Sequence, residues 1–198
     1  MTGFNIFIFD GFETLDAFGP AEVIGGMPDE YRLCCFSLNG GIVKSTQQIA
    51  VDTLPLTEIN TSGILLIPGG IGTRTLVYDK NLIGQLGILA EKAPYVLTVC
   101  TGSALLARTA LLDGRKATSN KRAFEWVCSN GAAVNWIKKA RWVKDGKYYS
   151  SSGISAGIDM TLGFISDIHG EKTAWDIANA MEYVWNSDMY NDPFALFY

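Results

Sequence analysis

The chain holds one histidine, His169, among 198 residues. That scarcity excludes a histidine-built metal site and leaves a single candidate for a Cys–His pair. Cysteine is scarce as well: four residues, at positions 34, 35, 100 and 128, in spacings that fit no zinc-binding pattern. Cys34 and Cys35 are neighbours in "YRLCCFSL", a strand pattern that sends them to opposite faces, and Cys128 lies in a helical stretch. Those three read as buried structural thiols of a reducing cytoplasm, not as a disulfide framework. No apolar run reaches the ~20 residues a membrane-spanning helix needs. The opening "MTGFNIFIFDG" has no basic leader and no cleavage-like end, so the expectation is a cytoplasmic protein without a signal peptide or a membrane partner. Positive charge is not in excess. With 16 Lys and Arg against 20 Asp and Glu, the net charge of −4 gives no electrostatic footprint for nucleic acid.

What is present is a folding pattern. Hydrophobic residues make up 48% of the chain, which excludes disorder and suits one α/β domain over residues 1–198. "FNIFIF" (4–9) reads as a strand and "TLDAFGPAEVIGGM" (14–27) as a helix. "YRLCCFSL" (31–38) is a second strand, and "GGIVKSTQQIAVDT" (40–53) is a hairpin. "GILLIPGG" (63–70) runs as a strand into a glycine turn, "TRTLVYDKNLIGQLGILAEKA" (73–93) as one helix or two, and "YVLTVC" (95–100) as a strand. "GSALLARTALL" (102–112) has helical spacing, "KRAFEWVCSN" is a helix, and "ARWVKDGKYYSSSG" (140–153) is a hairpin around Asp145-Gly146. Two helices, 155–170 and 173–187, close the chain. Alternating strands and helices imply a mostly parallel sheet covered on both faces, with ligands bound beyond the carboxyl ends of its strands. Three such ends carry chemistry: "IFDG" at 8–11, "LIPGG" at 66–70 and "TVC" at 98–100.

Cys100 stands where a strand stops and a helix begins. "VCTGS" has the strand–nucleophile–turn–helix layout of a nucleophile elbow, in which a sharp turn exposes the reactive side chain. A helix N-terminus just after it would favour thiolate over thiol. A core cysteine followed by an ordinary helix cap is the plainer alternative. In "LIPGGIGT", Gly69 and Gly70 let backbone approach a ligand, and an amide at Gly70 or Ile71 would join that of Thr101 as an oxyanion hole. The same glycines fail as a phosphate loop, because no Lys-Ser/Thr follows.

Ionisable partners for the cysteine are few. His169 in "DIHG" sits at a helix end before a capping glycine, where it complements the dipole. Asp10 ends the first strand. Asp16 in "ETLDAFGP" reads either as a helix N-cap or as a carboxyl that meets Cys100 and exchanges a proton with it.

"LDAFGPAEV", "LLIPGGIGT", "VCTGSALLARTALLDGRKAT" and "SSGISAGIDMTL" together resemble the ThiJ/PfpI superfamily, the amidotransferase-like group, over nearly the whole chain. Within it they look most like the isonitrile hydratase branch and the similar domains of some AraC-type regulators. The resemblance implies a flavodoxin-like three-layer sandwich with a nucleophile elbow, a homodimer, and no cofactor or metal. It makes Cys100 the nucleophile, Asp16 the acid/base and Thr101 an assistant. Many relatives carry a histidine in a segment like "ATTHW"; this chain has "ATSNKRAFEW", with Asn120 at that place. The departure removes the Cys–His dyad of hydrolase-like members and disfavours protease or amidase activity. Isonitrile hydration needs no histidine, so the expected reaction is isonitrile plus water to an N-substituted formamide through a thioimidate on Cys100. Aromatic side chains are candidates to line its pocket. The rivals are a glyoxalase-like or other hydrolase or lyase on a small-molecule substrate, and a non-catalytic cysteine redox sensor. A direct transcriptional role is disfavoured, because no helix-turn-helix segment follows.

Overall fold

A computed structural model describes residues 1–198. In chain order the elements are β1 (Thr2–Phe7), α1 (Thr14–Gly25), β2 (Tyr31–Ser37), β3 (Asn39–Lys44), β4 (Ala50–Pro55), β5 (Ile64–Ile67), α2 (Thr73–Leu76), α3 (Lys80–Lys92) and β6 (Val96–Val99). They continue with α4 (Gly102–Ala107), β7 (Lys116–Ala117), α5 (Phe124–Ser129), β8 (Asn135–Trp136), β9 (Trp142–Asp145), β10 (Tyr148–Ser151), α6 (Ala156–His169) and α7 (Glu171–Ala180). Eight strands form one sheet in the order β3-β4-β2-β1-β5-β6-β10-β9. The centre, β4 through β10, is parallel, and antiparallel hairpins close both edges. One helix layer packs α1 against α6 and α6 against α7; the other groups α2, α3 and α5 around α4. This is the expected α/β three-layer sandwich.

Burial on both faces is what makes the central strands read as continuous apolar runs. All residues of β5 and β6 are buried, and Phe4, Phe7, Phe12 and Phe36 are wholly enclosed. Each such side chain contributes about 1.5–3 kcal/mol relative to exposure. The parallel register β1–β5–β6 brings the carboxyl ends of the three strands to one edge. Chain leaving them supplies Asp10–Asp16, Pro68–Ile71 and Cys100–Ser103.

Several local expectations change. A second sheet, β7 paired parallel with β8, was not expected, since two-residue strands carry no period to read. The helix at 173–187 ends at Ala180, and α5 spans six residues. Cys34, Cys35 and Cys128 are half-buried, not buried. For the first two, the neighbouring Arg32 and Leu33 of β2 are exposed as well, so that half of the strand is not enclosed. Finally, Asp16 is not a cap: Glu13 holds the cap position of α1, and Asp16 lies inside the first turn. No helix is long and apolar enough to cross a membrane.

Candidate active site

β6 delivers Cys100 into a turn with φ = 56°, left-handed backbone that a cysteine adopts at a cost of about 1–3 kcal/mol. The surroundings over-determine that turn. The Cys100 N–H donates to Ser151 O at 3.2 Å and Ser152 O at 3.3 Å, both on the neighbouring β10 edge. Its carbonyl accepts from Ser103 Oγ at 3.0 Å and Ser119 Oγ at 2.7 Å. Four bonds from three segments therefore hold the strained residue. This is the geometry of a nucleophile elbow, and a cysteine within a regular core element has no need of it.

α1 brings Asp16 to the thiol. Its carboxyl is fully buried, and Oδ2 accepts the Gly69 N–H at 3.0 Å, while Oδ1 has no hydrogen-bond partner of good geometry. No cation pairs with it. Burial drives the Asp16 carboxyl well above the usual carboxylate range, opposed by the Gly69 amide and reinforced by the negative charge of Glu13. Burial thus favours the neutral form of Asp16, which faces Cys100.

The thiol departs from expectation. Desolvation raises the Cys100 pKa, and an ionised Asp16 raises it further; the Thr101 amide and hydroxyl pull it down. The predicted thiolate-favouring helix end is outweighed because α4 has six residues and Cys100 is 7% exposed. The two acids are coupled. With Asp16 protonated, its Coulomb repulsion disappears and the Thr101 donors remain, so one proton shared by the pair is the low-cost ionised state.

The glycine turn explains its own sequence. A Cβ on Gly69 would fall 2.6 Å from Thr101 N, 2.7 Å from Thr101 Oγ1 and 2.8 Å from Asp16 Oδ2, so any other residue would wedge these groups apart. Gly70 has φ = 129°, and its N–H donates to Thr101 Oγ1 at 3.1 Å. The expected Gly70 oxyanion donor is thus already engaged by a side chain. Thr101 N–H, aimed at the thiol, and Ile71 N–H, which has no acceptor within the protein, are the amides left over. Thr73, which sequence reasoning passed over, sets the Thr101 rotamer: its hydroxyl lies 3.0 Å from Thr101 Oγ1 and 2.7 Å from Gly70 O.

Cys100 opens into a cavity of about 250 Å³ walled by Glu13, Thr46, Gly70, Ile71, Arg74, Thr101, Asn120, Arg122 and Ile154. No aromatic side chain lines it, contrary to expectation; Trp126 reaches it only by stacking on Arg74. Asn120 holds its turn through Oδ1, which accepts the Ala123 N–H at 3.1 Å. Asp10 is elsewhere employed, its Oδ1 accepting the Lys44 N–H. His169 is remote. α6 begins near the site and runs 14 residues, roughly 20 Å, before reaching it, and there the ring bonds Tyr31 OH at 2.6 Å. No group of His, Cys, Asp and Glu is placed to hold a metal ion.

The model of the DJ-1/PfpI family matches residues 4–167. The chain belongs to the DJ-1/PfpI family. Among curated relatives of this DJ-1/PfpI protein, the isonitrile hydratase of Pseudomonas putida is 29% identical over 89% of this chain and 76% of its own length. A deglycase from Thermococcus kodakarensis is 28% identical over 72% of this chain and 84% of its own. Among solved structures, a ThiJ/PfpI family protein from Pseudomonas syringae superposes with a TM-score of 0.84, at 24% identity, over 92% of this chain and 75% of that one. The superposition shows that the DJ-1/PfpI sandwich described above is shared.

Proposed function

We propose that the protein hydrates a small isonitrile to an N-substituted formamide, with Cys100 as nucleophile and Asp16 as acid/base. The observation that carries this reading is a buried, cation-free carboxyl facing the elbow cysteine in a chain whose single histidine is bonded elsewhere. An isonitrile, R–N≡C, needs a bond to sulfur and a proton at the same carbon. The pair reacts from its singly ionised form, a Cys100 thiolate beside a protonated Asp16: the sulfur attacks the terminal carbon, and the Asp16 O–H delivers its proton there, giving the thioimidate R–N=CH–S–Cys100 and an Asp16 carboxylate. Water then adds to the imidate carbon as the carboxylate takes its proton; the C–S bond breaks and the sulfur leaves as thiolate. The released R–N=CH–OH tautomerises to R–NH–CHO, and the carboxyl proton and free thiolate restore the starting pair. A carboxyl whose charged form is destabilised by burial suits both halves, because it is a willing donor first and a strong base afterwards. Thr101 assists through its amide at sulfur, and the amides of Thr101 and Ile71 flank the carbon that water attacks.

The test is an assay of formamide release from aryl and alkyl isonitriles by wild type and Cys100→Ala. Release by wild type alone supports the reading, and no release from any isonitrile defeats it. The 28% identity to a deglycase supports a second reading, chemistry on reactive aldehydes through the same thiol, so methylglyoxal belongs in the panel. A peroxide titration that leaves a stable Cys100 sulfinate without any turnover would favour the redox-sensor reading. The family resemblance supports a homodimer, which sedimentation at micromolar concentration tests.

A further inference from the structure

We propose that Arg74 and Arg122 form an anion subsite at the mouth of the Cys100 cavity, and that the substrate carries a carboxylate opposite its reacting carbon. Both side chains belong to the cavity wall. Neither has a carboxylate within ion-pair distance, and neither guanidinium donates a hydrogen bond to the protein. In a chain of net charge −4, two unpaired cations converging on the reactive cysteine reverse the local sign. Glu13 is the one opposing charge on that wall, and its Oε1 accepts from Gln47 Nε2 at 2.6 Å.

The two arginines are held differently, and both ways leave their donors available. Arg74 lies face-on over Trp126, with its guanidinium carbon 3.6 Å from the ring centroid. Stacking uses the face of a guanidinium and leaves its edge N–H groups free for bidentate recognition of a carboxylate. Arg122 follows Lys121, whose ammonium is buried and bonded to Thr118 Oγ1 at 2.9 Å and Ala140 O at 2.7 Å. The backbone that presents Arg122 is therefore pinned, while its side chain reaches solvent. At about 250 Å³ the cavity is below the usual range for drug-sized ligands, so a compact substrate fits it. An isonitrile with its carbon at Cys100 must point its substituent toward the mouth, where the arginines are. A short isocyano carboxylate satisfies both ends.

The substrate half of this inference rests on the hydratase reading; the subsite half does not, and two experiments separate them. The first compares alkylation of Cys100 by iodoacetate and iodoacetamide at low salt, read by mass spectrometry of the Cys100 peptide. Using the ratio of the two rates within each protein cancels any general change in thiol reactivity. The ratio is expected to fall at least fivefold in the Arg74→Gln/Arg122→Gln double variant, and to fall in wild type at high salt, where exposed charges are screened. An unchanged ratio in the double variant overturns the subsite. The second compares kcat/KM for isocyanoacetate and its methyl ester. A wild-type preference for the anion, lost in the double variant, upholds the substrate class; preference for the ester overturns it. A fallen alkylation ratio with both isonitriles inert would uphold the subsite and defeat the hydratase reading.

Discussion

Two clusters of ionisable side chains are buried in this molecule, and they are built on opposite principles. Around Arg141, Asp159 and Asp192 every charge has a counter-charge. Arg141 Nη2 meets Asp159 Oδ2 at 2.8 Å and Nη1 lies 3.6 Å from Asp192 Oδ1, while Lys121 Nζ lies 3.5 Å from Asp192 Oδ2. Asp159 Oδ1 also accepts from Tyr183 OH and the Asn186 N–H, both at 3.0 Å. Both clusters keep atoms without a hydrogen bond, Arg141 Nη1 and Asp192 Oδ2 in the first and Asp16 Oδ1 in the second, but around Cys100 there is no counter-charge. Burial pushes the carboxyls of Asp159 and Asp16 upward alike, but a guanidinium opposes it only at Asp159. The first cluster ties the segment after α7 to β9 and α6. The second buries a carboxyl whose neutral form is favoured by burial. Paired burial fixes structure; unpaired burial beside the Cys100 thiol is the arrangement the proposed chemistry uses.

The sharpest way to break the comparison is to remove the proposed nucleophile, Cys100. Cys100→Ala should fold, since it relieves desolvated polarity, and should lose at least about a thousandfold in isonitrile turnover, as loss of a covalent nucleophile does. Activity within tenfold of wild type would show that the strained turn serves something other than catalysis.

Asp16→Asn comes next. An amide can still accept the Gly69 N–H but can neither give nor take the proton, so turnover should fall by about 10²–10⁴. Stability should move the other way. The folded pKa of Asp16 is raised, so as pH climbs past the ordinary carboxyl value the native state keeps a proton that the unfolded chain has released, and stability is lost. The variant has no such proton. It should be at least as stable as wild type at neutral pH, with the difference closing as pH falls to about 4. Thermal unfolding across that range checks the sign, and a markedly less stable variant at pH 7 would place Asp16 among the structural carboxylates. Asp10→Asn is the activity control, because Asp10 spends its carboxylate on the Lys44 amide.

The same substitution in the other cluster should invert the pattern. Asp159→Asn leaves the Arg141 guanidinium, 5% exposed, without its nearest anion, and breaking such a pair costs about 3–5 kcal/mol. Denaturant unfolding should register the loss. Lys121 adds a pH signature here, because burial lowers its pKa to about 8 despite the attraction of Asp192. Between about 8 and the ordinary lysine value near 10.4 the unfolded chain binds the extra proton, so this group makes stability rise with pH over that window. Lys121→Met should remove the rise.

How much of this was legible beforehand differs between the two regions. The elbow was, because a strand of Val, Leu and Thr ending on Cys-Thr-Gly-Ser announces the change from period 2 to helical spacing at one residue. Asp16 was legible as a candidate, but not its choice between cap and acid, since the sequence does not say that Glu13 holds the cap. Gly70 was half right: the turn was foreseen, and the capture of its amide by Thr101 depends on a rotamer set by Thr73. Arg74 and Arg122 stood in segments already singled out, one after "PGGIGT" and one in "ATSNKRAFEW". Only the fold brings two side chains 48 residues apart to one cavity. The paired cluster was invisible, because Lys121, Arg141, Asp159 and Asp192 come from four distant segments with no shared periodicity.

The smallest expected effect concerns the histidine. His169 closes α6, next to Gly170 with φ = 91°, and its ring bonds Tyr31 OH at 2.6 Å across to β2. That bond ties the far end of the helix layer to the sheet, at the opposite end of α6 from the site. His169→Asn should therefore cost about 0.5–1.5 kcal/mol, the net contribution of one partly buried hydrogen bond, and leave kcat/KM for isonitrile within twofold. Tyr31→Phe should cost a similar amount, and the double variant little more than either alone, because both single changes remove the same bond. A large loss of turnover in His169→Asn with unchanged stability would mean that a Cys–His pair operates after all. The chemistry assigned to Asp16 would then need a different owner.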